Sequence, residues 1–163
     1  MKKYELTSET KIVFGHILYR IKALSSFGYV SAGDLGGFLE SEKNLSQNGN
    51  AWVSGNARVY GNARVSGSAE VYGSARVSGN AEVSKIGSIF WIGAVGSRND
   101  TATFFRCTDG VVRVTCGCFF GNLDEFAKKV RKTHGDNDHA KVYMLAIEMA
   151  KIRIGDKKEK TEE

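Results

Sequence analysis

The side chains that could support chemistry in this 163-residue sequence are its arginines, three histidines and three cysteines. The net charge of +5 leaves room for an anionic partner, provided that the cations cluster once the chain is folded. No Gly-x-Ser-x-Gly, His-Glu-x-x-His or paired-carboxylate motif occurs. The sequence therefore favours a non-catalytic protein over an enzyme and assigns no catalytic residue.

The three cysteines do not match a metal site. Cys116 and Cys118 share one side of a predicted strand, and Cys107 lies across a predicted hairpin. Structural zinc normally uses four ligands at recognisable spacing, and one Cys-x-Cys falls short of that. We expect reduced thiols, no metal and no cofactor.

Residues 50–85 form six consecutive hexapeptides with the pattern (Asn/Ser)-Ala-x-Val-(Ser/Tyr), and five of the six end in glycine. Alternating Ala and Val indicate a strand with one buried face, and Gly followed by Asn or Ser indicates a corner. The pattern resembles the left-handed parallel β-helix of hexapeptide-repeat proteins, in which three units form one coil. The resemblance implies a mainly β fold with about two to three coils, residues 44–49 being a degenerate leading unit.

Positions 18 residues apart stack in such a coil, at a strand spacing of about 4.8 Å. Arg58 is then placed over Arg76, with Tyr60 beside them. Like charges in that arrangement are mildly destabilising unless an anion compensates. We therefore predict that Arg58, Tyr60 and Arg76 form a ligand-binding face.

The rest of the chain divides around the repeat. We predict an N-terminal β cap over residues 1–43, the β-helix over 44–85, a C-terminal hairpin and two-helix domain over 86–154, and a disordered, mixed-charge tail over 155–163.

A second arginine pair is predicted in the C-terminal hairpin. Asp109-Gly110 is a strong signal for a two-residue turn, which would place Arg106 opposite Arg113. With Arg98, these arginines complete the candidate ligand-binding set.

Two helices should follow the hairpin. Asn122 and Glu125 have the spacing of a capping box, and the second helix should span about Asp138 to Ile154. That second helix carries two apolar stripes, although one is enough to dock it on its own domain. The other stripe predicts an interface in a homo-oligomer, and the β-helix resemblance favours a trimer; its residues are Val142, Leu145, Met149 and Ile152.

The C-terminal part resembles small domains in phage-encoded and prophage proteins of unknown function. The resemblance rests on Gly96-Ser97-Arg98-Asn99, Gly117-Cys118-Phe119 and Thr133-His134-Gly135-Asp136. It implies a phage-encoded accessory protein. The arginine and aromatic surfaces then predict capture of a host protein or an anionic, nucleotide-like molecule, and antagonism of bacterial defence is the hypothesis for its role in that context. Nucleic acid is a less favoured partner.

Two alternatives remain open. Acyltransferases of the hexapeptide family use a histidine base between subunits, but the repeat of this chain contains no histidine. Polymer-forming cytoskeletal proteins share short repeats with this chain, which leaves a structural scaffold as the other alternative. No apolar run approaches the roughly 20 residues of a membrane span, and no apolar leader follows Met1, so we expect a cytoplasmic protein without a membrane partner.

Overall fold

The computed structural model describes residues 1–155. The chain divides into two compact units, Met1–Ile86 and Gly87–Glu163. The predicted tail, apart from Gly155, lies outside the described residues.

The first unit begins with an antiparallel meander. Strand β1 (Tyr4–Val13) pairs with β2 (His16–Ala23), which pairs with β3 (Leu35–Leu39). The tight turn between β1 and β2 has positive φ at both central residues, Phe14 and Gly15. Turns of that kind match the twist of paired strands and close a two-residue hairpin.

Each hexapeptide contributes one two-residue strand, whose valine is buried. The strands pair in parallel with the strand 18 residues later, β4 with β7, β5 with β8 and β6 with β9, so the predicted stacking interval is confirmed. The six strands are β4 (Trp52–Val53), β5 (Arg58–Val59), β6 (Arg64–Val65), β7 (Glu70–Val71), β8 (Arg76–Val77) and β9 (Glu82–Val83).

The predicted fold class, a mainly β protein built around a left-handed parallel β-helix, is wrong. The repeat strands are divided among separate sheets: β4–β7 and β6–β9 are two-stranded, whereas β5 and β8 join a five-stranded mixed sheet of order β1-β2-β3-β5-β8. The reason is that β3 pairs in parallel with β5, Phe38 beside Arg58, and so extends the antiparallel meander into the repeat. The fold combines several small sheets with two helices.

A buried asparagine joins the meander to the repeat. Asn44 lies in a short 3-10 helix, Glu42–Asn44, and is fully buried. Its side-chain amide donates to the carbonyl oxygens of Gly61 (3.2 Å) and Ala63 (2.8 Å), and its Oδ1 accepts from the backbone of Ser41 (2.9 Å). Buried polar groups need such partners because an unpaired one loses its hydration without compensation.

The second unit is a four-stranded antiparallel sheet with two helices on one face. Its interior joins apolar residues of the sheet to those of both helices, including Phe104, Phe126 and Tyr143. A 3-10 turn over Ile86–Ser88 precedes the sheet. The elements are β10 (Ile89–Val95), β11 (Asp100–Arg106), β12 (Val112–Cys116), β13 (Phe119–Asn122), α1 (Leu123–His134) and α2 (Asp138–Ile154).

The ends of both helices follow from local sequence. The predicted capping box of α1 is confirmed, since Asn122 and Glu125 each accept the other's backbone N–H at 2.8 Å. Asn137 caps α2 by accepting the N–H of Ala140 at 3.0 Å. Such bonds satisfy backbone donors that a helix N-terminus otherwise leaves free.

The predicted register of the β11–β12 hairpin is wrong by one residue. Arg106 pairs with Val112 and Phe105 pairs with Arg113, because the loop contains three residues rather than two. Cys107 closes that loop by hydrogen bonding with Val111 and Gly110. Gly110 (φ 82°) occupies the left-handed position that ends a three-residue hairpin loop.

Within residues 1–155, neither helix combines the length and the apolar composition that a transmembrane span requires.

Replacing Asn44 by alanine should lower the free energy of unfolding by about 1–3 kcal/mol, because the buried carbonyl group of Ala63 and the half-buried one of Gly61 lose their donor. The matched control is Asn56→Ala, at an exposed position of the repeat, which should change it by less than about 0.5 kcal/mol. Urea denaturation followed by circular dichroism measures both. Equal effects of the two substitutions would contradict a special role for Asn44.

Candidate functional site

A cleft of about 300 Å³ opens in the second unit. It lies where the β10–β11 and β12–β13 turns, which share one end of the sheet, meet α1 and α2. Its lining residues are Ser97, Arg98, Asp100, Cys116, Gly117, Cys118, Phe119, Phe126, Lys129, Val130, Thr133, His134 and Tyr143.

Three sequence segments that are distant along the chain converge at this cleft. They are residues 96–99, 117–119 and 133–136. Each of them contributes lining residues. The cleft is therefore the place in the second unit where polar and charged groups from separate elements meet.

The shape of the cleft depends on Tyr143 of α2, which is 7 % exposed. Its ring lies parallel to that of His134, with 5.8 Å between centroids, and contacts Phe126 edge-on at 5.5 Å. Its hydroxyl donates to the carbonyl oxygen of Val95 (3.5 Å) and lies 3.6 Å from the Cys116 sulfur. Burial, and next the contact with Cys116, raises the pKa of Tyr143, so its hydroxyl stays protonated.

Gly96 is required by that packing. A Cβ at this position would collide with the phenol of Tyr143, and the backbone has a φ of 74°, which only glycine adopts at low cost. The β10–β11 turn can therefore approach α2 closely. The same turn carries Ser97 and Arg98 to the cleft.

The electrostatic balance of the cleft favours an anion. Arg98 and Lys129 are exposed cations, and His134 adds a third positive charge when protonated. Asp100 is the one carboxylate among the lining residues that the structure describes, and its Oδ1 accepts the backbone N–H of Thr101 at 2.8 Å. Cations that converge on a concave surface concentrate counter-ions there.

The cysteines differ in their surroundings. Cys107 is buried, and burial raises the pKa of its thiol; Cys116 is partly buried and Cys118 is exposed. No disulfide joins any of the three within residues 1–155. Within residues 1–155, no three His, Cys, Asp or Glu side chains are grouped so as to hold a metal ion.

In the first unit, Arg58 and Arg76 are neighbours in register, as predicted from the repeat. The structure adds Arg20 and Phe38 to the same row across the sheet. We call these four residues the arginine row. The guanidinium group of Arg20 lies 5.2 Å from the centre of the Phe38 ring, while Arg76 lies 4.7 Å from the ring of Phe14. These cation–π contacts stabilise the arginines within the protein itself.

Tyr60 is less accessible than the repeat predicted, being 8 % exposed. The ring of His16 covers it at 4.7 Å, and Nδ1 of His16 lies 2.9 Å from the carboxylate of Glu40. Glu40 also accepts the N–H of Gly61 at 2.7 Å. The Glu40 carboxylate therefore lies on the same side of the first unit as Tyr60 and offsets part of the positive charge there.

Arg106 and Arg113 lie on opposite faces of the sheet because of the corrected register. Arg106 donates to the carbonyl oxygens of Ile154 and Gly155 at the end of α2. Arg113 forms a two-pronged pair with Asp109, at 2.9 and 2.7 Å. The two arginines therefore form separate structural contacts, and the structure does not bring them together as one site.

The predicted ligand-binding residues thus fall in several places, and only Arg98 lines the cleft. Sequence reasoning missed Lys129 and Tyr143, and it named His134 only as part of one segment of a resemblance. The available signal was the Thr133-His134-Gly135-Asp136 segment. No family model matches the chain, and no curated protein matches it.

Glu40→Gln should make the melting temperature of the protein less sensitive to pH in the acidic range. The hydrogen bond from His16 is the largest cause that holds the pKa of Glu40 below its ordinary value of 4.5. A depressed carboxylate pKa stabilises the folded state fully above the unfolded pKa, and this stabilisation disappears as the pH falls through the folded pKa. The wild-type melting temperature should therefore decline below about pH 4.5 more steeply than that of the variant.

Calorimetry between about pH 3 and 7 measures this difference. Glu5→Gln, at an exposed position of β1, is the matched control and should keep the wild-type profile. Parallel profiles for wild type and Glu40→Gln would contradict the assignment.

Proposed function

We propose that this protein is a non-catalytic binding protein whose cleft in the Gly87–Glu163 unit captures a small anionic ligand with phosphate groups. The observation that carries the proposal is the convergence of Arg98, Lys129 and His134 on one concave site, where Asp100 is the single carboxylate that residues 1–155 contribute to the lining. Arginine forks and lysine ammonium groups are the side chains that best recognise phosphate oxygens.

The dimensions and lining of the cleft support a small molecule. A volume of about 300 Å³ is at the lower end of the range for ligand pockets. Phe119, Phe126 and Val130 supply apolar surface next to the cations. That combination suits a nucleotide, whose base prefers apolar or aromatic contacts and whose phosphates prefer cations.

Tyr143 has a positioning role in the cleft. The raised pKa of Tyr143 makes its hydroxyl a hydrogen-bond donor and a poor base near neutral pH. The same ring supports His134 by stacking, so these groups position one another.

The biological context of the proposal comes from the resemblance to phage and prophage domains. In this context the protein acts in the cytoplasm of the host and sequesters a nucleotide-like signal, thereby antagonising bacterial defence. A host protein that presents a phosphorylated or acidic segment would meet the same chemistry at the cleft.

One observation favours acyl transfer as a second candidate function. The imidazole of His16 lies beside Tyr60 of the repeat and is oriented by Glu40. A histidine held by a carboxylate is a common arrangement for a general base. The repeat itself contains no histidine, but the fold brings His16 of β2 against Tyr60 of the repeat.

A thermal-shift and calorimetric titration tests the first candidate, with inorganic pyrophosphate, ADP and a cyclic dinucleotide as probes. At least one probe should stabilise the protein, and Arg98→Ala or Lys129→Ala should each weaken its Kd by about tenfold or more, because a charge-assisted hydrogen bond is lost. Lys128→Ala is the matched control, since Lys128 neighbours Lys129 on α1 but does not line the cleft. No stabilisation by any probe, or equal loss in all three variants, would overturn the proposal.

An assay with acetyl-coenzyme A as substrate tests the second candidate function, acyl transfer. Release of free coenzyme A in the presence of an amine or alcohol acceptor, abolished by His16→Ala and retained in Arg98→Ala, would support acyl transfer. Equal release by wild type and His16→Ala would reject it.

A further inference from the structure

One face of α2 exposes large apolar side chains in an unbroken row. Val142 is 39 % exposed, Leu145 65 %, Met149 49 % and Ile152 85 %. The other predicted stripe is buried against the second unit: Tyr143, Ala146, Ile147, Ala150 and Ile154. The exposed row, which we call the outer stripe, is therefore not needed to dock α2 on its own unit.

The spacing of the outer stripe is that of a coiled-coil seam. Its residues follow one another at intervals of three, four and three, as positions a, d, a and d of two heptads do. A stripe that serves only a globular core is usually wider and follows a period of 3.6. The outer stripe is narrow and contains only a and d positions, which indicates that the partner of this face is another helix.

The charged residues beside the outer stripe indicate that the partner helix is α2 of a second copy of this chain. In this heptad frame Glu148 occupies a g position and Arg153 the following e position. In a parallel pair, residue g of one helix lies opposite residue e of the next heptad on the other helix. Two copies of α2 would therefore place each Glu148 beside the second copy's Arg153, whereas an antiparallel pair centred on the same stripe would place Glu148 opposite Glu148.

Helix α2 is already formed before any such association. Asn137 caps its first turn, and Arg106 donates to the carbonyl oxygens at its last turn. Short coiled coils of isolated peptides are weak because each chain must first become helical. In this protein the contacts of α2 with its own unit already keep the helix folded, so two heptads are enough for pairing.

We propose that the outer stripe is a self-association surface and that two copies of this chain pair through parallel α2 helices. The proposal concerns a face of α2 that is distinct from the cleft, so it does not depend on the proposed ligand. It replaces the trimer implied by the β-helix resemblance with a two-stranded interface.

Light scattering coupled to size-exclusion chromatography tests this pairing over a concentration series. The wild-type protein should approach twice the mass of one 17.8 kDa chain as its concentration rises. Leu145→Glu should give one-chain mass throughout, because it places two carboxylates in the seam. Ile12→Glu is the matched control, since it makes the same kind of change at a 72 % exposed residue of the first unit and should leave the mass at two chains.

Charge exchange tests the parallel orientation. Glu148→Arg and Arg153→Glu should each shift the protein toward one-chain mass, and the double substitution should restore pairing. Circular dichroism checks that α2 remains helical, since Glu148 also pairs with Lys151 within the helix at 3.0 Å. A single-chain mass at every concentration, a three-chain mass, or charge variants that behave like wild type would each overturn the proposal.

Discussion

The second unit depends on the close approach of Tyr143 to the backbone of Gly96. The phenol of Tyr143 fills the space that a side chain at position 96 would take, so α2 packs closely against the β10–β11 turn. The Tyr143 hydroxyl donates to the carbonyl oxygen of Val95 and contacts the sulfur of Cys116. His134 then stacks on the outer side of the ring. Because the turn, both helices and the β12–β13 edge meet at this one aromatic side chain, the cleft and its charges are consequences of how it packs.

Local patterns predicted local structure well. The capping box at Asn122 and the bounds of α2 follow from short-range chemistry. The interval of 18 residues between paired repeat strands was predicted instead from the resemblance to a coil of three hexapeptide units. Non-local pairing was harder to predict. The parallel pairing of β3 with β5 is a long-range contact that the hexapeptide pattern does not encode, and it places β5 and β8 of the repeat in a mixed sheet. The hairpin loop similarly took three residues because Gly110 could end it in the left-handed region.

The candidate site was predictable only in part for the same reason. Arg98 was identified because it lies in a distinctive turn, whereas Lys129 resembles every other lysine on the exposed side of an amphipathic helix. Its relevance appears only when α1 is docked beside the turns. Conversely, Arg106 and Arg113 looked like a pair in one register and lie on opposite faces in another. The number of arginines alone therefore does not predict an anion site, since Arg106 contacts the end of α2 and Arg113 pairs with Asp109.

The central claim is that the cleft around Tyr143 binds an anionic ligand. Its most direct test is a titration of ¹⁵N-labelled protein with ADP or pyrophosphate, monitored through the backbone amide resonances. We expect saturable shifts concentrated at Ser97, Arg98, Gly117 and Thr133, with little change at the arginine row. Shifts confined to Arg20, Arg58 and Arg76, or no saturable shifts at all, would contradict the account.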